Sequence, residues 1–370
     1  MKDILSDRVK LIDSSGIRKV FALAAKLENP INFSIGQPDF DVPDALKNEA
    51  IEAIRRGDNK YTQTAGDEVL REKIIEQVKG EFGWERAGVL VTSGVSGGLL
   101  LAFMAVINPG DEVIIPDPYF VIYKHVINML GGVCVFVDSY PDFDLPVEKI
   151  AEAVTEKTKM IIVNSPSNPT GAVYREDRLK SLAKIAKEKD VLVLSDEIYE
   201  KFCYDGSCPS IASYYKKTLL LRGFGKAYAM TGWRLGYAAA DECLKELIEE
   251  MIKIQQYTFV CAPSPLQKAA TAALDYDISG LVSAYKEKRD IVYYGLKDKF
   301  EMVKPEGAFY AFVKSPVGIS ATEFVDKVIA RNVLVIPGKV FSERDTHFRI
   351  SYTTNDERIK QGVEILCSLV

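Results

Sequence analysis

Between residues 89 and 239 the chain alternates short β-rich runs with longer amphipathic ones, and no other feature narrows its possible fold as far. Strand-length apolar runs separated by helix-length segments are what βαβ units of a parallel sheet produce. The runs predict strands at 89–92, 113–115, 133–137, 160–164, 191–195, 218–222 and 235–239, with helices at 97–107, 119–130, 176–189 and 242–255. In the third of these helices Leu179, Leu182, Ala183 and Ala186 recur at three- and four-residue spacing beneath a lysine-rich face, so it should cover a sheet. After "CAPSP" at 261–265 the texture changes to helical segments, an alternating stretch "GAFYAFV" at 307–313, and "FRISYTT" at 348–354, which together read as a second, α+β part. No repeat, low-complexity tract or flexible linker separates the two parts, so they should pack closely.

At 370 residues the chain exceeds what one ordinary core needs, and 47% hydrophobic with 27% charged residues is the profile of an ordered globular protein. A net charge of −5 supplies no basic field for nucleic acid or anionic membrane, which leaves small molecules as the expected partners. The longest apolar run, "LLLAFMAVI" at 99–107, is about half of a membrane span, and "MKDILSDRVKLIDSS" at the N-terminus has no apolar signal core. A cytoplasmic protein is expected. The six cysteines include no C-x-x-C pair and the two histidines, His125 and His347, are far apart, so no zinc site is expected and the cysteines should be reduced and mostly buried. Acid–base chemistry would then fall to lysine, tyrosine, carboxylates or a cofactor.

The polar oddities all follow predicted strands, where open α/β sheets bind ligands beyond the carboxyl ends of their strands. "TSGVSGG" at 92–98 turns from strand to helix; its small residues let backbone N–H groups approach an anion, and the helix N-terminus adds partial positive charge. The same turn could serve only to join strand to helix. In "NSPSNPTG" at 164–171, Pro169 restricts Asn168 and aims its amide, unless the segment is simply a β-turn. Asp196 ends an apolar strand, where a carboxylate is costly without a cation or donor, although it could instead cap the next helix. Lys226 follows the strand at 218–222; at the mouth of an apolar sheet, desolvation and nearby cations lower a lysine's pKa and make it a Schiff-base nucleophile, the alternative being a solvated side chain. Arg234 presents a planar fork suited to phosphate or carboxylate, or to a surface ion pair.

Taken together, "FSIGQPDF" at 33–40, "YTQTAGDEVLR" at 61–71, "PGDEVIIPDPYF" at 109–120, "NPTG", "SDEIY", "GFGKAYAMTGWRLGY" and "FRISYTT" resemble the class I/II, fold-type I aminotransferases that use pyridoxal 5'-phosphate (PLP). The resemblance implies an α/β fold: a mainly parallel sheet flanked by helices in a large PLP-binding domain at 41–265, an N-terminal arm at 1–40 contributing to the small domain, and a small α+β domain completed by 266–370. It implies that Lys226 binds PLP covalently and later moves a proton at the substrate Cα, that Asp196 pairs with the pyridine nitrogen, and that Asn168 and Tyr199 donate to the phenolic oxygen. Phe120 would cover the ring, and the N–H groups of Gly94, Val95 and Ser96 with Arg234 would hold the phosphate. Tyr61 would reach in from the partner of a homodimer, while Arg349, aided by Gly36, would clamp the substrate carboxylate. "SSGIRKVFALAA" at 14–25 and "AMTGWRLGY" resemble the aspartate and aromatic branch, with 2-oxoglutarate as acceptor. Alanine or other donors, or a carbon–sulfur β-lyase on the same fold, are the alternatives. Two positions depart from the family pattern: Gly223 stands where a phosphate-binding serine is common, and Ser96 where some bacterial aspartate-specific relatives carry a lysine.

Overall fold

The computed structural model describes residues 4–12, 16, 20 and 27–370, so most of the 14–25 stretch lies outside the described residues. The strands, in chain order, are β1 (Ile31–Asn32), β2 (Gly88–Ser93), β3 (Glu112–Asp117), β4 (Val133–Asp138), β5 (Thr158–Asn164), β6 (Leu192–Asp196), β7 (Thr218–Gly223), β8 (Leu235–Ala240), β9 (Tyr310–Lys314), β10 (Val333–Leu334), β11 (Ile336–Pro337) and β12 (His347–Ser351). All seven predicted strands of the first part form, and they make one sheet in the order β2-β8-β7-β6-β5-β3-β4.

Strands β4, β3, β5, β6 and β7 are mutually parallel, whereas β8 is antiparallel to both β7 and β2. The reason is connection length: residues 224–234 between β7 and β8 fall short of the dozen or so that a parallel crossover needs, so the chain turns back on itself. The central strands are buried on both faces, as helices packed on each side require. Helix Glu176–Glu188 covers one face through Leu179, Leu182, Ala183 and Ala186, as its spacing predicts. Helix Gly94–Val106 begins three residues before its predicted start, so the glycine-serine turn is itself the first helical turn. Helix Ile122–Met129 starts three residues later than predicted, and the Tyr119 amide that precedes it bonds the Phe341 carbonyl. The predicted helix at 242–255 resolves into a 3₁₀ turn, Glu242–Leu244, and helix Lys245–Thr258.

The C-terminal part builds an antiparallel sheet, β11-β12-β9, and a parallel pair in which Ile31 and Asn32 of β1 lie opposite Val333 and Leu334 of β10. The N-terminal segment is thereby sewn into C-terminal structure: the Phe33 amide bonds Leu334 and its carbonyl accepts from Ser351. Phe33, Phe309, Phe324, Phe348 and Leu366 share that core. The stretch 307–313 is buried throughout and not on one face only, because β9 meets this core through Tyr310, Ala311 and Val313 and, through Phe312, a second cluster with Phe143, Ala172, Leu334, Ile336 and Phe341.

The cysteine expectation is corrected. Cys203 and Cys208 are bridged, with Cα atoms 5.9 Å apart, while Cys134, Cys243, Cys261 and Cys367 are free thiols, none fully buried. A backbone bridge from Cys203 to Gly307 holds one end of the loop, and Gly206 at φ 144° turns the other end back, a proximity that spacing along the chain does not express. No helix among the described residues is long and apolar enough to cross a membrane, and among them no cluster of three His, Cys, Asp or Glu side chains could hold a metal ion.

Candidate active site

Strand register brings the singled-out residues to one edge of the sheet. Asn164 lies opposite Asp196, Asp196 opposite Leu221, Gly223 opposite Gly236, and Ser93 opposite Leu235. Because β8 runs backwards, its start, and with it Arg234, joins the ends of the parallel strands. The edge opens on a cavity of about 270 Å³ lined by Gly36, Gly94, Val95, Ser96, Phe120, Asn168, Asp196, Tyr199, Lys226, Arg234 and Arg349, among others.

Lys226 stands in the single helical turn Phe224–Ala227 that follows β7, and its Nζ donates to the Gly36 carbonyl. Burial, then the nearby charges of Arg349 and Arg234, draws its amine down to about 8 from the usual 10.5. Asp196, almost inaccessible to solvent, is pushed up to about 6 by burial, although the Tyr123 hydroxyl (2.7 Å) and the Ile198 N–H (3.3 Å) both donate to it. A buried carboxylate with hydrogen bonds but no bonded cation is poised to take a positively charged N–H. The Asn164 side chain donates to the Asp196 main-chain carbonyl at 3.0 Å and fixes the strand end from the neighbouring side. Behind the strand, Arg222 holds Glu81 through two 2.7 Å bonds and Glu197 at 2.8 Å, locking the base of the turn that carries Lys226.

Arg349, on β12, is 1% exposed. Its Nη1 donates to Asn168 Oδ1 at 2.9 Å and its Nη2 to the Ser34 carbonyl at 2.8 Å, while the guanidinium lies 4.5 Å from the ring centres of both Tyr310 and Phe341. Its Nε has no hydrogen-bond partner among the described residues. A buried guanidinium held by two neutral acceptors, with a donor to spare, is the arrangement that captures a planar carboxylate.

At the other end of the cavity Gly94 takes φ 68° and starts helix Gly94–Val106, so the first N–H groups of that helix face the opening. Arg234, itself in the left-handed region at φ 56°, is anchored by Nη1 to the Thr231 carbonyl, and a Cβ on Gly94 would lie 2.9 Å from its Nη2. This glycine leaves a cradle that any side chain would fill. It suits a phosphate, as the rest of the cavity suits a pyridine ring and an amino acid. At Gly223 a Cβ would fall 2.9 Å from Ile198 Cδ1 and 3.2 Å from Val95 Cγ2, so apolar packing occupies the place where a serine side chain would stand.

Of the residues singled out from sequence, Tyr61 alone is not brought into the cavity; it is 82% exposed, in a groove with Cys261, Pro263 and Pro265. Tyr199 is in place, but its hydroxyl pairs with that of Tyr310 at 2.8 Å. Sequence reasoning missed Ser34, Tyr123, Asn164, Thr231 and Tyr310. Ser34, Asn164, Thr231 and Tyr310 lie inside quoted stretches and Tyr123 outside them, but none carries a local signal, because only burial reveals that a polar group needs a partner.

The sheet order, with a lysine and a buried carboxylate beyond the strand ends, defines the fold-type I architecture of PLP enzymes. The chain belongs to the aminotransferase class I and II family, which it matches over residues 28–366. It is 40% identical to a probable aspartate aminotransferase of Methanocaldococcus jannaschii, across 98% of this chain and 99% of the relative, and 36% identical to aromatic-amino-acid aminotransferase 2 of Thermococcus litoralis, across 97% and 96%. The solved aspartate aminotransferase of Thermus thermophilus with maleate superposes with a TM-score of 0.94 at 34% identity, over 99% of each chain. The protein is a PLP-dependent amino-acid transaminase.

Proposed function

We propose that the enzyme transfers the amino group of aspartate or an aromatic amino acid to 2-oxoglutarate, with Lys226, Asp196, Asn168, Tyr199 and Arg349 as its working residues. PLP supplies an electron sink conjugated to the substrate Cα. Lys226, half-neutral near pH 8, would anchor the cofactor and move a proton at the substrate Cα. Asp196 would accept from the pyridine N–H, which would give its buried charge a partner. Asn168 and Tyr199 would donate to the phenolic oxygen, and Phe120 would cover the ring. Gly94, Val95, Ser96 and Arg234 would hold the phosphate; Arg349, with the Gly36 backbone, would fix the substrate carboxylate. The observation that carries this assignment is that buried Arg349, whose Nε has no hydrogen-bond partner among the described residues, lines the same cavity as Lys226 and Asp196.

The donor class is supported by relatives named for aspartate and for aromatic amino acids. Two subunits would share each site, Tyr61 of one reaching the phosphate of the other; the exposure of Tyr61, Tyr257, Phe259 and Val260 on one protomer supports such an interface. The division into 1–40, 41–265 and 266–370 is supported by the β1–β10 pairing, and a cytoplasmic location completes the proposal. A panel of amino acids against 2-oxoglutarate, oxaloacetate and pyruvate tests the substrates, with aspartate, tyrosine or phenylalanine expected to lead; alanine leading would overturn the donor assignment. Sedimentation tests the dimer, and fractionation of expressing cells tests the location.

A further inference from the structure

Tyr310 meets three working parts of the site, two through its hydroxyl and one through its ring. It pairs with Tyr199 Oη at 2.8 Å, and the two rings stand edge to face with centres 5.6 Å apart. It also packs against Gly36 so closely that a Cβ there would fall 2.2 Å from Tyr310 Oη, which is why this position is glycine; the carbonyl of the same Gly36 receives the Lys226 amine. The Arg349 guanidinium, finally, lies over the Tyr310 ring, 4.5 Å from its centre. Tyr310 is 1% exposed, and the only hydrogen-bond partner its hydroxyl has among the described residues is Tyr199.

We infer that Tyr310 is a positioning residue that does two separable jobs: its hydroxyl tunes Tyr199, and its ring fixes the fork of Arg349. The inference rests on the reading that PLP binds at Lys226 with Tyr199 donating to its phenolic oxygen. Once the Tyr199 proton points at the cofactor, the Tyr199 oxygen can only accept, so Tyr310 must donate to it. A chain of two O–H donors results, and each hydrogen bond polarises the next. The donation to the phenolic oxygen is strengthened, which stabilises negative charge on that oxygen and makes the adjoining nitrogen that links Lys226 to the cofactor easier to deprotonate. Stacking on the Tyr310 face, meanwhile, holds the guanidinium plane in the attitude a carboxylate needs.

The two jobs are separated by two substitutions in the PLP-loaded protein. Tyr310→Phe removes the hydroxyl and keeps the ring; Tyr310→Leu removes both. The first readout is the pH midpoint of the visible absorbance change of bound PLP, and the second is the dissociation constant of maleate, an unreactive dicarboxylate. In Tyr310→Phe the midpoint should rise by about half a pH unit, the size expected when a hydrogen bond worth somewhat under 1 kcal/mol is lost, with maleate affinity within twofold of wild type. In Tyr310→Leu the midpoint should rise similarly and maleate should bind about tenfold more weakly. A merely structural role would lower the melting temperature of Tyr310→Phe and leave its midpoint in place. A midpoint within 0.1 unit of wild type in Tyr310→Phe, or wild-type maleate affinity in Tyr310→Leu, would overturn the inference alone. Bound PLP that shows no pH-dependent absorbance in the wild-type protein, or that stays covalently attached to Lys226→Ala after borohydride, overturns the underlying reading as well.

Discussion

Arg349→Lys isolates the contribution of the guanidinium fork, because the charge is retained while the geometry is lost. In the native protein two of the donors are already engaged, with Asn168 at 2.9 Å and the Ser34 carbonyl at 2.8 Å, and the guanidinium lies 4.5 Å from the ring centres of Tyr310 and Phe341. The remaining N–H groups, including the unpartnered Nε, are those available to a substrate carboxylate. A hydrogen bond to a charged group contributes about 1.5–3 kcal/mol, and a shorter ammonium keeps at most one of two such bonds to the substrate. Loss of the stacked, preset plane adds about 0.5–1 kcal/mol. The sum, about 2–4 kcal/mol, corresponds to a fall in kcat/KM of roughly 30- to 1000-fold at one decade per 1.36 kcal/mol. The assay is steady-state transamination with the best donor of the panel, alongside PLP occupancy from absorbance and the melting temperature. Occupancy should change by less than about threefold, since on the proposed reading Arg349 holds the substrate and not the cofactor. A kcat/KM within threefold of wild type, or a loss of PLP matching the loss of activity, would refute the assignment of Arg349 as the carboxylate clamp.

Reconstitution of the PLP-free protein should quicken as pH rises and level off with a midpoint near 8, because the neutral Lys226 amine is the reacting form; a midpoint near 10 would show that burial does not depress it. Asp196 has its carboxyl raised to about 6 from 3.8, so the folded PLP-free protein holds a proton there that the unfolded chain releases, and the resulting stability is present below about pH 4 and lost as pH rises through 6. Asp196→Asn should therefore melt higher than wild type at pH 8 in the PLP-free form, by up to about 3 kcal/mol, converge with it near pH 4, and be the weaker PLP binder; urea melts at the two pH values decide it. Gly223→Ser should bind PLP no more tightly than wild type, because its Cβ must displace Ile198 Cδ1 and overpacking costs about 1–3 kcal/mol, whereas the pair Gly223→Ser with Ile198→Val should bind more tightly than Gly223→Ser alone, as measured by PLP titration.

Much of this architecture was legible along the chain. Parallel strands buried on both faces must be short apolar runs, and the helices that cover them must be amphipathic, so composition and period marked all seven strands of the large sheet and the helix over 176–188. The ends of the helices were less legible, since the residues that flank a helix are placed by tertiary contacts such as that of the Tyr119 amide with the Phe341 carbonyl. Backbone direction in β8 followed from a connection length that periodicity does not report.

The site divides in the same way. Lys226, Asp196, Asn168, Arg234 and the turn at Gly94 stand out in sequence because each is a polar or conformationally special residue immediately after an apolar strand, and strand ends are set locally. Their chemistry was decided elsewhere. That Lys226 is depressed, Asp196 raised, and Arg349 left with a free donor are consequences of burial among residues hundreds of positions apart, such as Ser34 and Arg349. The same holds for Tyr123 beneath Asp196, Tyr310 beside Tyr199, Ile198 filling the space at Gly223, and the Cys203–Cys208 bridge. Local sequence determines which way a short segment bends and which side chain it offers; desolvation and pairing depend on what packs against that side chain, and only the tertiary structure supplies those neighbours.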